Sequence, residues 1–150
     1  RCRAIGAKGA GGGADGFGYQ VGWLKTLEVD CEALSNGWDG ADINNGSTTH
    51  GGKIIRCGGR YLNNQGPNIA DTGGSKSLTL GATVGASRAV TLAQNTNLGI
   101  DAATGEMWVA DCSLDGRGTQ DLYTYNAGAK IYLRSTGYNG AGGTGTVTTW

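Results

Sequence analysis

Proline occurs once in these 150 residues, at Pro67, and histidine once, at His50; charged residues make up only 16% of the chain. Each scarcity narrows the function. Twelve basic and twelve acidic side chains cancel to a formal net charge of zero. That balance argues against nucleic acid or an anionic membrane as the main partner, because both reward a basic surface. A single histidine in a glycine-threonine loop leaves Ser-His-Asp or Cys-His chemistry resting on one residue. No CxxC pair occurs, so a zinc site has little support. No apolar run is long enough to span a membrane. No signal peptide is visible and the chain starts at Arg1, which suggests a mature or processed form.

Glycine is what the chain has most of, at 30 residues. So much glycine raises the backbone entropy that folding must overcome, and hydrogen-bonded sheet, disulfides or neighbouring subunits are the usual compensation. No collagen triplet is present. Cys2, Cys31, Cys57 and Cys112 are an even number at wide spacing, and in an oxidising compartment they imply two disulfides with three open pairings. The length is that of one domain.

Residues 1 to 18 read as a glycine-rich arm with little apolar surface of its own, and residues 19 to 150 as one β domain. In the body, Tyr19 to Cys31 alternates in strand fashion with a slip at Leu24-Lys25, which suits a bulge or bend. A helical stripe through Leu24, Leu27, Cys31 and Leu34 explains fewer positions. The run after Cys31 is dense in turn dipeptides, Asn36-Gly37, Asp39-Gly40 and Asn45-Gly46. Residues 53 to 62 predict a strand kinked at Gly58-Gly59, and residues 77 to 84 and 87 to 94 two more. Residues 97 to 112 read as a hairpin turning at Ala103-Thr104-Gly105, and residues 122 to 125 and 130 to 135 as another. No repeat of fixed period stands out, which argues against propellers and solenoids. The expectation is an all-β, single-domain antiparallel β-sandwich or jelly roll.

Candidate chemistry is sparse. Carboxylates such as Glu28, Glu32, Asp39, Asp42 and Glu106 show no spacing that singles out a glycosidase pair. Asp39, Asp42 and Asn44 on a turning loop could offer oxygen ligands to calcium, but the closing glutamate is missing; Asp111, Asp115 and Asp121 form a weaker set. GAGGGADG lacks the strand and the Gly-Lys-Ser/Thr of a phosphate loop. Asn45-Gly46-Ser47 fits a glycosylation sequon. Aromatic rings stack on sugar faces while amides and carboxylates bind hydroxyls, so Trp38, Asp39, Asp42, Asn44 and Tyr138 are the candidate sugar contacts. Residues 75 to 150 resemble, in composition alone, small β modules of virion surfaces and extracellular filaments.

These readings converge on a non-catalytic structural subunit at an extracellular, cell or virion surface. It would join copies of itself or other subunits through the glycine-rich arm and need no cofactor. A carbohydrate-binding module that contacts glycans is the alternative.

Overall fold

The structure, a computed structural model, describes residues 1–8, 14–20, 25–44, 53–71, 75–85, 100–102, 105–115, 121–124, 126–138 and 140–150. Among these residues every strand pairing is parallel and there is no helix. The chain winds three short strands per coil and stacks the coils into a parallel β-helix. The first coil is β1 (Arg3–Ile5), β2 (Phe17–Gln20) and β3 (Lys25–Val29). The second is β4 (Glu32–Leu34), β5 (Ala41–Asn44) and β6 (Lys53–Cys57). The third is β7 (Arg60–Leu62), β8 (Ile69–Asp71) and β9 (Ser75–Leu80), and the fourth β10 (Thr83–Gly85), β11 (Ile100–Ala102) and β12 (Gly105–Ala110). The fifth is β13 (Ser113–Asp115), β14 (Leu122–Thr124) and β15 (Lys130–Arg134), followed by β16 (Ala141–Gly143) and β17 (Thr146–Thr149). The first sheet orders as β1-β4-β7-β10-β13, the second as β16-β14-β11-β8-β5-β2, and the third as β17-β15-β12-β9-β6-β3.

This corrects the antiparallel sandwich or jelly roll. Strands that pair are a whole coil apart in sequence, so neighbours along the chain lie in different sheets. Residues 122 to 124 and 130 to 134 are therefore not a hairpin: β14 pairs with β11 and β16, and β15 with β12 and β17. Likewise β11 and β12 each pair one coil up and one coil down. The stretch Tyr19 to Cys31 is divided between β2 and β3, in different sheets, with residues 21–24 outside the described residues. The expected strand at 87 to 94, His50 and the Asn45-Gly46-Ser47 sequon also lie outside them.

The solenoid was set aside because its coils are unequal. Arg3, Glu32, Arg60, Thr83 and Ser113 are register partners in turn, and Gly137 continues the column. Successive coils thus take between 23 residues (Arg60 to Thr83) and 30 residues (Thr83 to Ser113). The corners, however, repeat closely. Between the third sheet and the first, Asp30, Gly58, Gly81, Asp111 and Ser135 occupy equivalent positions, all with positive φ. A single left-handed residue turns the chain sharply there, and glycine, aspartate and serine tolerate it better than branched residues do.

The residue after each corner is small. Cys2, Cys31, Gly59, Ala82, Cys112 and Thr136 form one column, each lying immediately before a register partner of the first sheet. Gly59 sits at φ +93, and a Cβ on it would come within 2.5 Å of the Cys31 carbonyl. This accounts for the cysteines without disulfides. All four are free thiols, with Cys31 and Cys112 buried. Cys2, Cys31 and Cys112 serve as small apolar corner residues, while Cys57 ends β6 beside Val29 and Leu80. The Cys112 thiol donates to the Ala110 carbonyl at 3.2 Å, and burial raises its pKa, so it is an unreactive thiol.

One face of every strand lines the interior. The core includes Ala33, Tyr61, Ile69, Val84, Met107, Val109, Leu122, Ile131 and Leu133. At the second coil, two of the inward positions are Ala33 and Ala41, and the third sheet places Arg56 there, with no exposure. The small residues leave the volume that the longest inward side chain occupies.

Candidate functional site

The first coil concentrates the interior charge. Glu28 follows the alternation of β3 inward and is 4% exposed. One coil along, its register partner Arg56 brings Nε to 3.4 Å from the Glu28 carboxylate. Tyr61, fully buried, donates its hydroxyl to Glu28 Oε2 at 2.5 Å, and Tyr19 stands beside the same carboxylate. Burial, followed by the Glu28 charge and hydrogen bond, raises the pKa of both tyrosines well above 10. The consequence for pH follows from the sign of the shift. The unfolded chain releases a tyrosine proton near pH 10.0, while folded Tyr61 keeps it. Its contribution is complete below pH 10 and disappears as the pH rises further. The unfolding free energy should fall by about 1.4 kcal/mol per pH unit above 10 on account of Tyr61 alone. Urea midpoints at pH 9, 10 and 11 would measure it, and Tyr61→Phe should flatten the slope.

The rim of the same coil is also charged. Glu32 receives Arg3 at 2.5 Å, Arg1 at 3.4 Å and Arg60 at 3.8 Å. Burial pushes the Glu32 carboxyl up, but Arg3 and Arg1 outweigh it and hold it below the usual carboxylate range. Above this rim, β1, β2 and β3 each pair on one side only among the described residues. In β1 the amide of Gly6 donates to Leu34, and Cys2 accepts from Glu32. Even-numbered residues therefore face β4, which leaves the backbone groups of Arg3 and Ile5 on the open edge. Ile5 is 56% exposed there.

A second arrangement lies on the outer face of the third sheet. One column runs Lys25, Lys53, Lys76, Glu106, Lys130, Thr146. The column beside it runs Leu27, Ile55, Leu78, Trp108, Tyr132, Thr148. Trp108 and Tyr132 stack with centroids 5.2 Å apart and planes 16° from parallel. The Arg134 guanidinium lies 5.0 Å from the Trp150 ring and 3.2 Å from Asp111. Glu106 bridges Lys76 at 3.1 Å and Lys130 at 3.7 Å, and its bond to Lys76 holds its carboxyl below the usual range.

The residues singled out in sequence are distributed differently. Trp38 is half-buried in the connection between β4 and β5, and Asp39 is buried beside Gly66. Asp42 and Asn44 belong to β5, in register with Gly18 and Gln20 of β2. Tyr138 is 43% exposed, in the connection before β16, four coils from Trp38. The fold keeps Trp38, Asp39, Asp42 and Asn44 on one coil and does not bring Tyr138 to them. No group of three or more metal-ligating side chains forms among the described residues. What sequence reasoning missed is the column at Lys25, Lys53 and Lys76 and the Trp108–Tyr132 stack. Each lies at the same strand position one coil apart, a signal legible only once the coils are aligned.

No family model matches the chain, and neither a curated protein nor a solved structure matches it.

Proposed function

We propose that the chain is a non-catalytic structural subunit of an extracellular filament or virion surface, assembling through the coil its glycine-rich arm builds. The observation that carries this reading is the open edge of β1 and β2. β1 lies in the arm and β2 begins in it; both pair parallel to the coil beneath, and among the described residues both present unpaired backbone groups on the other side. An unpaired edge is a template for another strand. Because every strand runs in the same direction, a copy added at this end pairs in parallel through its β16 and β17 side. The contact is then head to tail and propagates into a rod rather than closing. Low charge and a net charge of zero leave little repulsion to oppose it.

Sedimentation of the chain should show growth with concentration, and Ile5→Pro should return it to monomer. Proline removes an amide donor on the open edge while sparing the bonds from β1 to β4. The urea midpoint should barely move. A wild-type chain that stays monomeric well above micromolar concentration would remove the proposal.

The second reading is a carbohydrate-binding module, and a separate observation favours it: the stacked rings of Trp108 and Tyr132 on the outer face of the third sheet. The stack places two partly exposed rings side by side, an apolar patch with polar tips against which a sugar can lie.

A further inference from the structure

Three features of the third sheet's outer face stand out. The first is its lysine column. Lys25, Lys53 and Lys76 are direct register neighbours on consecutive strands, and all three are exposed. Like charges directly opposed across paired strands are destabilising. Glu106 offsets Lys76 and Lys130, but among the described residues no carboxylate lies within ion-pair distance of Lys25 or Lys53. The second feature is exposed apolar surface beside that column: Leu27 is 65% exposed, Ile55 45% and Val29 45%. The third is the ring pair of Trp108 and Tyr132 in line with Leu27 and Ile55.

Together these describe a strip along the six-stranded sheet, with four lysines interrupted by Glu106 alongside apolar and aromatic groups. Strand spacing of about 4.8 Å makes it about 24 Å long. A parallel, in-register sheet repeats the same pair of contacts at each level, so its natural complement is a ligand that repeats along the axis. Three consecutive levels carry a lysine each, Lys25, Lys53 and Lys76, which match one anionic group per repeat over that part of the strip, and Glu106 and Lys130 continue the column beside the rings. We infer that the outer face of the third sheet binds a linear polyuronate, its carboxylates on the lysine column and its sugar rings on Trp108 and Tyr132. This inference rests on the carbohydrate-binding reading and is independent of end-to-end assembly.

Uronate oligomers from alginate, titrated calorimetrically into the intact chain, should bind in a salt-sensitive manner. Trp108→Ala should weaken binding about tenfold, with Trp108→Phe recovering part of it. Trp108 lies on the outer face, so the urea midpoint should stay close to wild type. Lys25→Glu with Lys53→Glu should abolish binding and spare the fold. Absence of binding, or binding unchanged in both variants, would overturn the inference. A neutral β-glucan bound as well as the uronate, and lost in Trp108→Ala, would leave carbohydrate binding standing and sink the acidic class. Sedimentation showing that the lysine variants dissolve a dimer would assign the face to a second copy instead, and would equally refute it.

Discussion

Arg56→Met should lower the unfolding free energy by about 3 to 5 kcal/mol, the loss expected when one partner of a buried ion pair is removed. Arg56 has no exposure, and its partner Glu28 is 4% exposed at 3.4 Å. Removing the guanidinium leaves a carboxylate in the interior with the Tyr61 and Tyr19 hydroxyls beside it and no cation from Arg56 to offset its charge. The carboxylate must then protonate or draw in water, and either route destabilises the fold. The pair itself stabilises far less than this loss suggests, because burying both charges had already cost desolvation. Arg56→Met combined with Glu28→Gln should therefore regain most of the lost stability. The amide still accepts from Tyr61, and both charges of this pair are gone. Urea midpoints for the two variants decide the matter, and a double variant no more stable than Arg56→Met would contradict this account of the cluster.

Asn64→Ala should cost about 3 kcal/mol or more, for a different reason. The Asn64 side chain links two coils and the corner between two sheets. Its Oδ1 accepts from the Asn36 amide at 3.0 Å and from Asn36 Nδ2 at 2.9 Å. Its Nδ2 donates to the Ala33 carbonyl at 3.1 Å and to Asn68 Oδ1 at 2.8 Å. Asn36 continues the series by accepting from the Ala7 amide at 3.0 Å, and Asn68 donates to the Gly85 carbonyl. All three asparagines are buried. At these corners the chain leaves the sheet and its backbone groups lose their ladder partners, so the amides replace them. Alanine strands several buried donors and acceptors, each worth about 1 to 3 kcal/mol. Asn64→Asp retains the acceptors but loses the donors and adds a buried charge, so it should be no milder. Hydrogen exchange should show the Asn36 amide losing protection in Asn64→Ala while the third-sheet amides keep most of theirs.

Much of the local structure was readable from residue order. Residues 53 to 57 form the expected strand, β6, although its burial runs against residue type, with Ile55 exposed and Arg56 buried. The kink expected at Gly58-Gly59 within one strand is instead a corner, and β6 and β7 on its two sides lie in different sheets. Asn36-Gly37 and Asp39-Gly40 also turn the chain, though between sheets and not within hairpins. Interior charge was not readable. Glu28 and Arg56 look like solvent-facing residues by type, and nothing in their own strands says that they turn inward. The candidate sugar contacts had the same weakness: Trp38 and Tyr138 both lie in turn-rich connections, but sequence carries no measure of how many coils separate them.

By itself the amino-acid order determined that the chain would be strand and turn, with small or left-handed-tolerant residues at its bends. Those are local properties of alternation and backbone sterics. Tertiary structure alone decided that the strands run parallel, that Cys2, Cys31 and Cys112 fall in one corner column as free thiols, and that Lys25, Lys53 and Lys76 share one row. A strand's alternation says which residues share a face, but it is the same whichever strand lies alongside. The partner is chosen by how whole coils close around a common interior, and coils of unequal length hide that choice from any fixed period.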